Sequence, residues 1–257
     1  MILTQFDPEY QAIINPKDLV AEIDNFPKTV VTCFARATFN RVLNALPHRL
    51  IATTSVANLD IPIYELDVKG HKLGFFNSYV GAAGCVGVLE DIIAMGMKQL
   101  LVFGTCGVLD ATISENSIII PTSAIRDEGT SYHYQPASHD IAVNQAYLTR
   151  AIDVLEQHSQ TYTLGKTWTT DGIYRETRDK MIQRKQEGAI CVDMECSAIA
   201  ALAAFRQLEH FQFFYSADNL DADTWDARSL ANEADLEAKD NIAFIALELA
   251  LRLFKAN

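Results

Sequence analysis

The 257-residue chain predicts an α/β fold: a single domain with a mixed central β-sheet flanked by helices on both faces. Three observations carry this. Apolar strand-like runs alternate with helical patterns from residue 28 onward, a hairpin pattern lies near the front, and no Pro/Gly/Ser-rich linker or low-complexity tract divides the chain. One domain then spans residues 1–257, with residues 1–27 as an N-terminal extension.

KTVVTCF (28–34) suits a first strand, and ARATFNRVLNAL after it suits a helix with Phe39, Leu43 and Leu46 along one side. Strands follow at 61–68 and 72–79, joined by the turn Lys69-Gly70-His71. GAAGCVGVLEDIIAMGM opens on small residues that allow close backbone approach and continues as an amphipathic helix. KQLLVFGTCG reads as a buried strand, because LLVF is a continuous apolar run ended by glycine. The second half repeats the alternation. SIIIPTSAI is strand-like, 141–158 helical, YTLGKTWTT strand-like, RDKMIQRKQEG a charged helix, DMECSAIAALAAF a buried helix and FQFFYSAD a strand. A long helix over 227–255 ends the pattern, with Leu230, Leu236, Ile242, Ile245, Leu249 and Leu253 among its apolar positions.

The 33 acidic against 21 basic residues give a formal net charge of −12, which argues against nucleic acid or an anionic membrane as the main partner. An anionic substrate must then be met by local positive charge or by backbone N–H groups. MILTQFDPEYQ lacks the basic and apolar regions of a signal peptide, and no apolar stretch is long enough to span a bilayer, so a cytoplasmic location is expected. Cys33, Cys85, Cys106, Cys191 and Cys196 are scattered among apolar neighbours, as expected for reduced, buried thiols. Neither a zinc pattern nor a CxxC pair is present, and no metal is expected.

In open α/β sheets, ligands gather beyond the carboxyl ends of the strands. Segments in such positions are VGAAG (80–84), FGTCG (103–107), TTDGIYRET (169–177) and SADNLD (216–221). VGAAG is not a dinucleotide fingerprint and reads first as close packing. FGTCG sets two glycines around a Thr, which exposes N–H groups and a hydroxyl to an anion or a sugar, although a plain strand-to-loop turn accounts for it as well. Ile173 and Tyr174 offer an apolar wall to a flat heterocycle, and Asp218 is either a strand-end acid or an ordinary turn residue. In AICVDMECSAI (189–199), Asp193 suits a helix cap. Glu195 fits that role less well: it falls inside the first turn, is followed at helical spacing by Ile199 and Leu202, and needs a partner if it faces an apolar interior.

In order and spacing, these motifs resemble the nucleoside phosphorylase superfamily from about residue 28 to the C-terminus. VDMECSAI is similar to the family's Glu-Met-Glu segment. The resemblance implies that Met194 packs on the sugar, that Glu195 grips its hydroxyls, and that Asp193 belongs to the same substrate-binding segment. FGTCG resembles the strand-end motif that contacts phosphate and ribose, which assigns Gly104, Thr105, Cys106 and Gly107 to the substrate. TTDGIYRET falls at the base-stacking loop, giving that role to Ile173 and Tyr174. SADN matches the place of the purine enzymes' catalytic Asp, here Asp218, while RDEGTSYHY (126–134) is similar to a segment of uridine phosphorylases.

The implied reaction is cleavage of the N-glycosidic bond of a purine nucleoside, or of a broader range including uridine. Phosphate is the co-substrate, and free base and ribose 1-phosphate are the products. Glu195 and Asp218 are catalytic, no metal or organic cofactor takes part, and a homo-oligomer (dimer or hexamer) in nucleoside catabolism and salvage is expected. The sequence departs from the family at its phosphate arginines. The Pro-Gly-Asp-Pro loop and its Arg are replaced by TCFARATF (32–39), and the Arg that opens the strand-end motif is Val102. Arg36, Arg126, Arg175 and Arg178, with Thr105, are the candidates to hold phosphate. Hydrolysis by water, or a nucleoside-binding protein with weak turnover, is the alternative.

Overall fold

In a computed structural model, which describes residues 2–230 and 234–254, ten strands form one mixed sheet. After a short helix, α1 (Pro16–Leu19), the chain runs β1 (Thr29–Cys33), α2 (Arg36–Ala45), β2 (His48–Val56), β3 (Leu59–Val68) and β4 (His71–Asn77). It continues through α3 (Ala82–Met95), β5 (Gln99–Val108), β6 (Ile118–Asp127), β7 (Asp140–Ala142) and α4 (Leu148–Gln157). Then come β8 (Tyr162–Thr170), α5 (Arg178–Gln186), β9 (Ala189–Asp193), α6 (Cys196–Arg206), β10 (Glu209–Asn219) and α7 (Leu236–Leu253).

The predicted hairpin is β3–β4, antiparallel from Ile63↔Phe76 to Val68↔His71, with Lys69 and Gly70 at positive φ in its turn. Strand order is β10-β6-β8-β9-β5-β1-β4-β3-β2, and β10 also pairs with β5. That extra pairing closes β5, β10, β6, β8 and β9 into a ring from which β1, β4, β3 and β2 extend as an open sheet.

Alternation along the central strands fills both faces. Val31 and Cys33 of β1, Leu101 and Phe103 of β5, and Phe211, Phe213 and Tyr215 of β10 join one core with α2, α4 and α7. Val30, Leu100 and Val102 join the opposite core with α3 and α6. β5 lies between β1 and β10, parallel to both, so its carboxyl end opens at the centre of the molecule. No helix among the described residues is long and apolar enough to cross a membrane.

Four elements differ from the sequence expectation. β2 is an edge strand paired only with β3, and its mixed, largely exposed residues give no apolar run to read. The predicted 141–158 helix begins only at Leu148. Asn144 stops it by taking φ 62° and bonding, through its side chain, to the Pro121 and Gln212 carbonyls and the Gln212 N–H. The C-terminal helix begins at Leu236 rather than 227, after Asp235 at φ 48°. Leu230 is not helical, and positions 231–233 and 255 of that expectation lie outside the described residues. Finally, Asp193 ends a strand, β9, and the buried helix starts at Cys196.

Phe213 and Phe103 are register partners across β10 and β5, their rings stacked at 5.8 Å in the core. Phe213→Ala is expected to cost about 3–5 kcal/mol of unfolding free energy, read from the urea midpoint.

Candidate active site

β9 ends at Asp193, whose carboxylate is saturated by protein donors. The N–H groups of Glu195 and Cys196 donate to Oδ2 at 2.8 and 2.6 Å, and the Thr167 and Thr169 hydroxyls of β8 donate to Oδ1, both at 2.9 Å. The acid therefore caps α6 and ties it to the neighbouring strand. Burial pushes its pKa up to about 6 despite these four bonds. Asp193 borders the cavity described below, and its carboxyl oxygens are engaged by these protein donors, in keeping with a helix cap.

The next polar side chain, Glu195, is the N-cap residue of α6 rather than part of its first turn. It is only 7% exposed, and the Gly81 N–H donates to its Oε1 at 2.5 Å. Gly81 reaches it from the VGAAG segment with φ 104°, a conformation that side-chain-bearing residues rarely adopt. Burial is the main reason that the Glu195 pKa rises to about 8; the nearby Asp193 adds to it and the Gly81 N–H opposes it.

Asp218 arrives through a bulge. β10 pairs Ser216 with Cys106 but Asp218 with Gly107, leaving Ala217 as the extra residue. The carboxyl group lies across the bare Cα of Gly107: a Cβ there would sit 3.1 Å from Asp218 Oδ1 and 2.5 Å from Leu220. Residues 220–225 are closed into a loop by the backbone pair Asn219–Asp226, and Trp225 Nε1–H donates to Asp218 Oδ2 at 2.8 Å. Burial raises the Asp218 pKa above the ordinary aspartate value, and the Trp225 bond works against it.

These groups meet in one cavity of about 710 Å³ at the carboxyl ends of β5, β9 and β10. Gly104, Thr105, Cys106, Gly107, Asp193, Met194, Glu195 and Asp218 all line it. Ile173 and Tyr174 also line it, but at the mouth: they are 51% and 94% exposed, so a base would meet them at the rim.

The arginine expectations fare differently. Arg36 opens α2 on the surface and Arg175 is exposed; neither lines the cavity. Arg126 is buried elsewhere, donating to the Ser131 and Ser138 hydroxyls and to the Gln135 and Pro136 carbonyls. Its neighbour Glu128 accepts from Ser197 Oγ of α6 and from the Ser131 N–H, so RDEGTSYHY anchors α6. Arg178 does border the cavity, but its Nη2 donates to the Ala222 and Asp223 carbonyls and pins the 220–225 loop.

Sequence reasoning missed Phe34, Val80, Glu176, Asp223 and Trp225, which also line the cavity. The position of TCFARATF after β1, at the same sheet edge as FGTCG, was the available signal for Phe34. Glu176 sits inside the quoted TTDGIYRET segment, yet only the fold turns it inward. Burial, with Asp218 and Asp193 nearby, pushes its pKa up to about 7. Among the described residues no group of three or more His, Cys, Asp or Glu side chains is placed to hold a metal ion.

Comparison with known proteins gives a consistent set. A sequence model of the phosphorylase superfamily matches residues 35–252. The chain is 23% identical to a guanosine phosphorylase of Halorubrum lacusprofundi over 185 residues, 72% of this chain and 77% of that protein. It is 28% identical to a DeoD-type purine nucleoside phosphorylase of Bacillus cereus over 56% of this chain and 66% of that protein. Among solved structures, a uridine phosphorylase from Vibrio fischeri superposes with a TM-score of 0.75 at 19% identity, covering 94% of this chain and 99% of that one. A purine nucleoside phosphorylase from Toxoplasma gondii, in complex with immucillin-H, superposes with a TM-score of 0.74 at 15% identity, covering 90% and 92%.

Two outcomes follow from the buried acids. Asp193→Ala strands two N–H groups and two hydroxyls, and is expected to destabilise the protein by about 2–4 kcal/mol in urea unfolding. Glu195 works in the opposite sense. Its folded pKa, about 8, lies above the ordinary 4.5, so between these values the folded chain holds a proton that the unfolded chain has lost. Its contribution is fully present below 4.5 and is lost as pH rises through about 8. Ligand-free Glu195→Gln should therefore gain stability over the unmodified protein across that window, by on the order of 2–4 kcal/mol in urea unfolding at its two ends.

Proposed function

The chain belongs to the phosphorylase superfamily, and on that premise we propose that it is a pentosyltransferase cleaving the N-glycosidic bond of purine nucleosides, with uridine within its range. Phosphate takes the pentosyl group, and free base and ribose 1-phosphate leave. The observation that carries this reading is the convergence of Glu195, Met194, Asp218 and the FGTCG strand end on one cavity.

The division of labour follows from their chemistry. Glu195 accepts hydrogen bonds from the ribose hydroxyls, and its negative charge lies where positive charge develops at the anomeric carbon. Hydroxyl donors lower its raised pKa, because they stabilise the carboxylate. Met194 lays a polarizable apolar face on the sugar. Asp218 protonates the departing base; its burial keeps that proton available nearer neutral pH than an ordinary aspartate would. Thr105 and the backbone N–H groups of Gly104 to Gly107 meet the phosphate, with Arg178 at the cavity edge. The reaction draws on no metal or organic cofactor.

We further read the protein as a cytoplasmic homo-oligomer of nucleoside catabolism and salvage. The scarcity of cations around the cavity supports assembly, since a second copy is a source of the missing charge.

Base release from guanosine, inosine and uridine, with and without phosphate, tests the reaction. Release that requires phosphate is expected; release indifferent to phosphate would replace phosphorolysis with hydrolysis. Glu195→Gln should lose transition-state stabilisation of about 2–4 kcal/mol in kcat/KM while remaining folded. Asp218→Asn should slow 6-oxopurine nucleosides by roughly 10²–10⁴-fold and uridine much less, because uracil leaves through a stabilised carbonyl oxygen.

A further inference from the structure

The chain has two tryptophans, and they are placed in opposite ways. Trp168 of β8 is fully buried, with its indole N–H donated to Asp127. Trp225 is 62% exposed, so burial of its ring does not account for its position. Its indole N–H is nevertheless engaged, donating to Asp218 Oδ2 at 2.8 Å. Among the described residues no other side chain donates to the Asp218 carboxyl group.

The loop that carries Trp225 is held along its length. The Asn219 and Asp226 backbones exchange both hydrogen bonds, at 2.8 and 3.2 Å, and the Asn219 side chain accepts from the Asp221 N–H. Asp221 also pairs with Lys185 of α5 and accepts from the Ala111 N–H, while Arg178 holds the Ala222 and Asp223 carbonyls. An indole on a loop fixed at this many points is a preset donor, with less freedom left to lose when it bonds.

A carboxyl group that accepts an N–H at one oxygen keeps its proton on the other, because an oxygen carrying the proton is the poorer acceptor. Trp225 at Oδ2 therefore leaves the proton to Oδ1, the oxygen that lies against Gly107 at the FGTCG strand end. Resting on the reading of the site as a nucleoside phosphorylase, we propose that Trp225 is the positioning residue of the catalytic acid: its indole N–H assigns the Asp218 proton to Oδ1 and stabilises the carboxylate that forms when that proton leaves.

In the step itself, a phosphate oxygen bonds to the anomeric carbon, the electron pair of the C–N bond passes to the base, and the Asp218 proton moves from Oδ1 to a ring nitrogen of that base. Asp218 ends as a carboxylate. The Trp225 bond, neutral beforehand, becomes charge-assisted as the proton departs, so it strengthens on the way to the transition state.

Burial raises the Asp218 pKa and Asp226 adds to it, whereas the Trp225 bond, the residue's own N–H and Arg228 oppose it. Asp193, Glu195, Glu176, Asp223 and Arg178 border the same cavity, Asp221 lies in the loop, and the buried Cys106 thiol is on the adjoining strand. All of these groups are shared by the unmodified protein and Trp225→Phe, so a difference between the two pH profiles belongs to the indole. The acid works protonated, and activity falls as pH rises through its pKa. Removing a bond that lowers the pKa moves that fall to higher pH.

The test measures kcat/KM for guanosine and inosine against pH in phosphate buffer, for the unmodified protein, Trp225→Phe, Asp218→Asn and the double variant. Phe keeps an aromatic ring on the loop and removes the N–H. Trp225→Phe should lose about tenfold in kcat/KM, mostly in kcat, with the alkaline fall moved to higher pH, and should add little in the Asp218→Asn background. Proton NMR gives a readout that needs no turnover. Of the two indole N–H signals, the one missing from Trp225→Phe should move with pH in the unmodified protein and stay still in Asp218→Asn. A merely structural Trp225 would give the same loss with and without Asp218 and leave the alkaline fall in place. That result, normal turnover by Trp225→Phe, or an indole signal indifferent to Asp218→Asn overturns this inference alone. Failure of the unmodified protein to release either base overturns the underlying reading of the site, and the inference with it.

Discussion

One buried carboxylate, Asp193, fixes the geometry on which the site depends. Its two oxygens collect two N–H groups from the start of α6 and two hydroxyls from β8, so strand, turn and helix meet at a single point. A flexible turn there would let Glu195 swing into solvent. With the helix start locked, Glu195 is carried to the Gly81 N–H. The same region is braced a second time by Ser197, whose N–H donates to Thr169 Oγ1 and whose hydroxyl donates to Glu128. Polar groups this deep are stabilising only when every partner is in place, which makes the arrangement specific as well as rigid.

The second constraint is electrostatic. Burial raises the pKa values of Asp193, Glu195, Asp218 and Glu176 together, so the ligand-free site stores unfavourable charge that protons partly relieve. Such storage is the usual balance between stability and activity at a functional site. On the proposed reaction, sugar hydroxyls would relieve Glu195 by donating to it, and a departing base would relieve Asp218 by taking its proton. Chemistry of this kind suits a chain whose overall charge is strongly negative but whose anionic co-substrate must still enter.

Much of this was legible in the sequence because it is local. FGTCG, VDMEC and SADN each end a strand, and the alternation of strands and helices sends those ends to one side of the sheet. The hairpin turn at Lys69 and Gly70 was readable for the same reason. What was not legible depends on pairings far apart in sequence. The ring closed by β10 and β5 has no local signature, nor has the bulge at Ala217 that sets Asp218 over Gly107. Arg126 looked available for phosphate, yet its acceptors come from a loop that folds back over it. Asn144 looked helical until its long-range bonds to Pro121 and Gln212 are seen. VGAAG read as packing, and only the fold shows that its Gly81 N–H meets Glu195.

The central claim is that Glu195 is a buried acid held ready for the hydroxyl donors of a sugar. Its titration is the most direct measure: carboxyl-carbon NMR of the labelled protein, with the Glu195 signal assigned by Glu195→Gln, followed with and without a bound nucleoside. The account predicts a midpoint near 8 in the free protein and a clearly lower one with nucleoside bound. A midpoint near the ordinary 4.5 that ignores the nucleoside would contradict it.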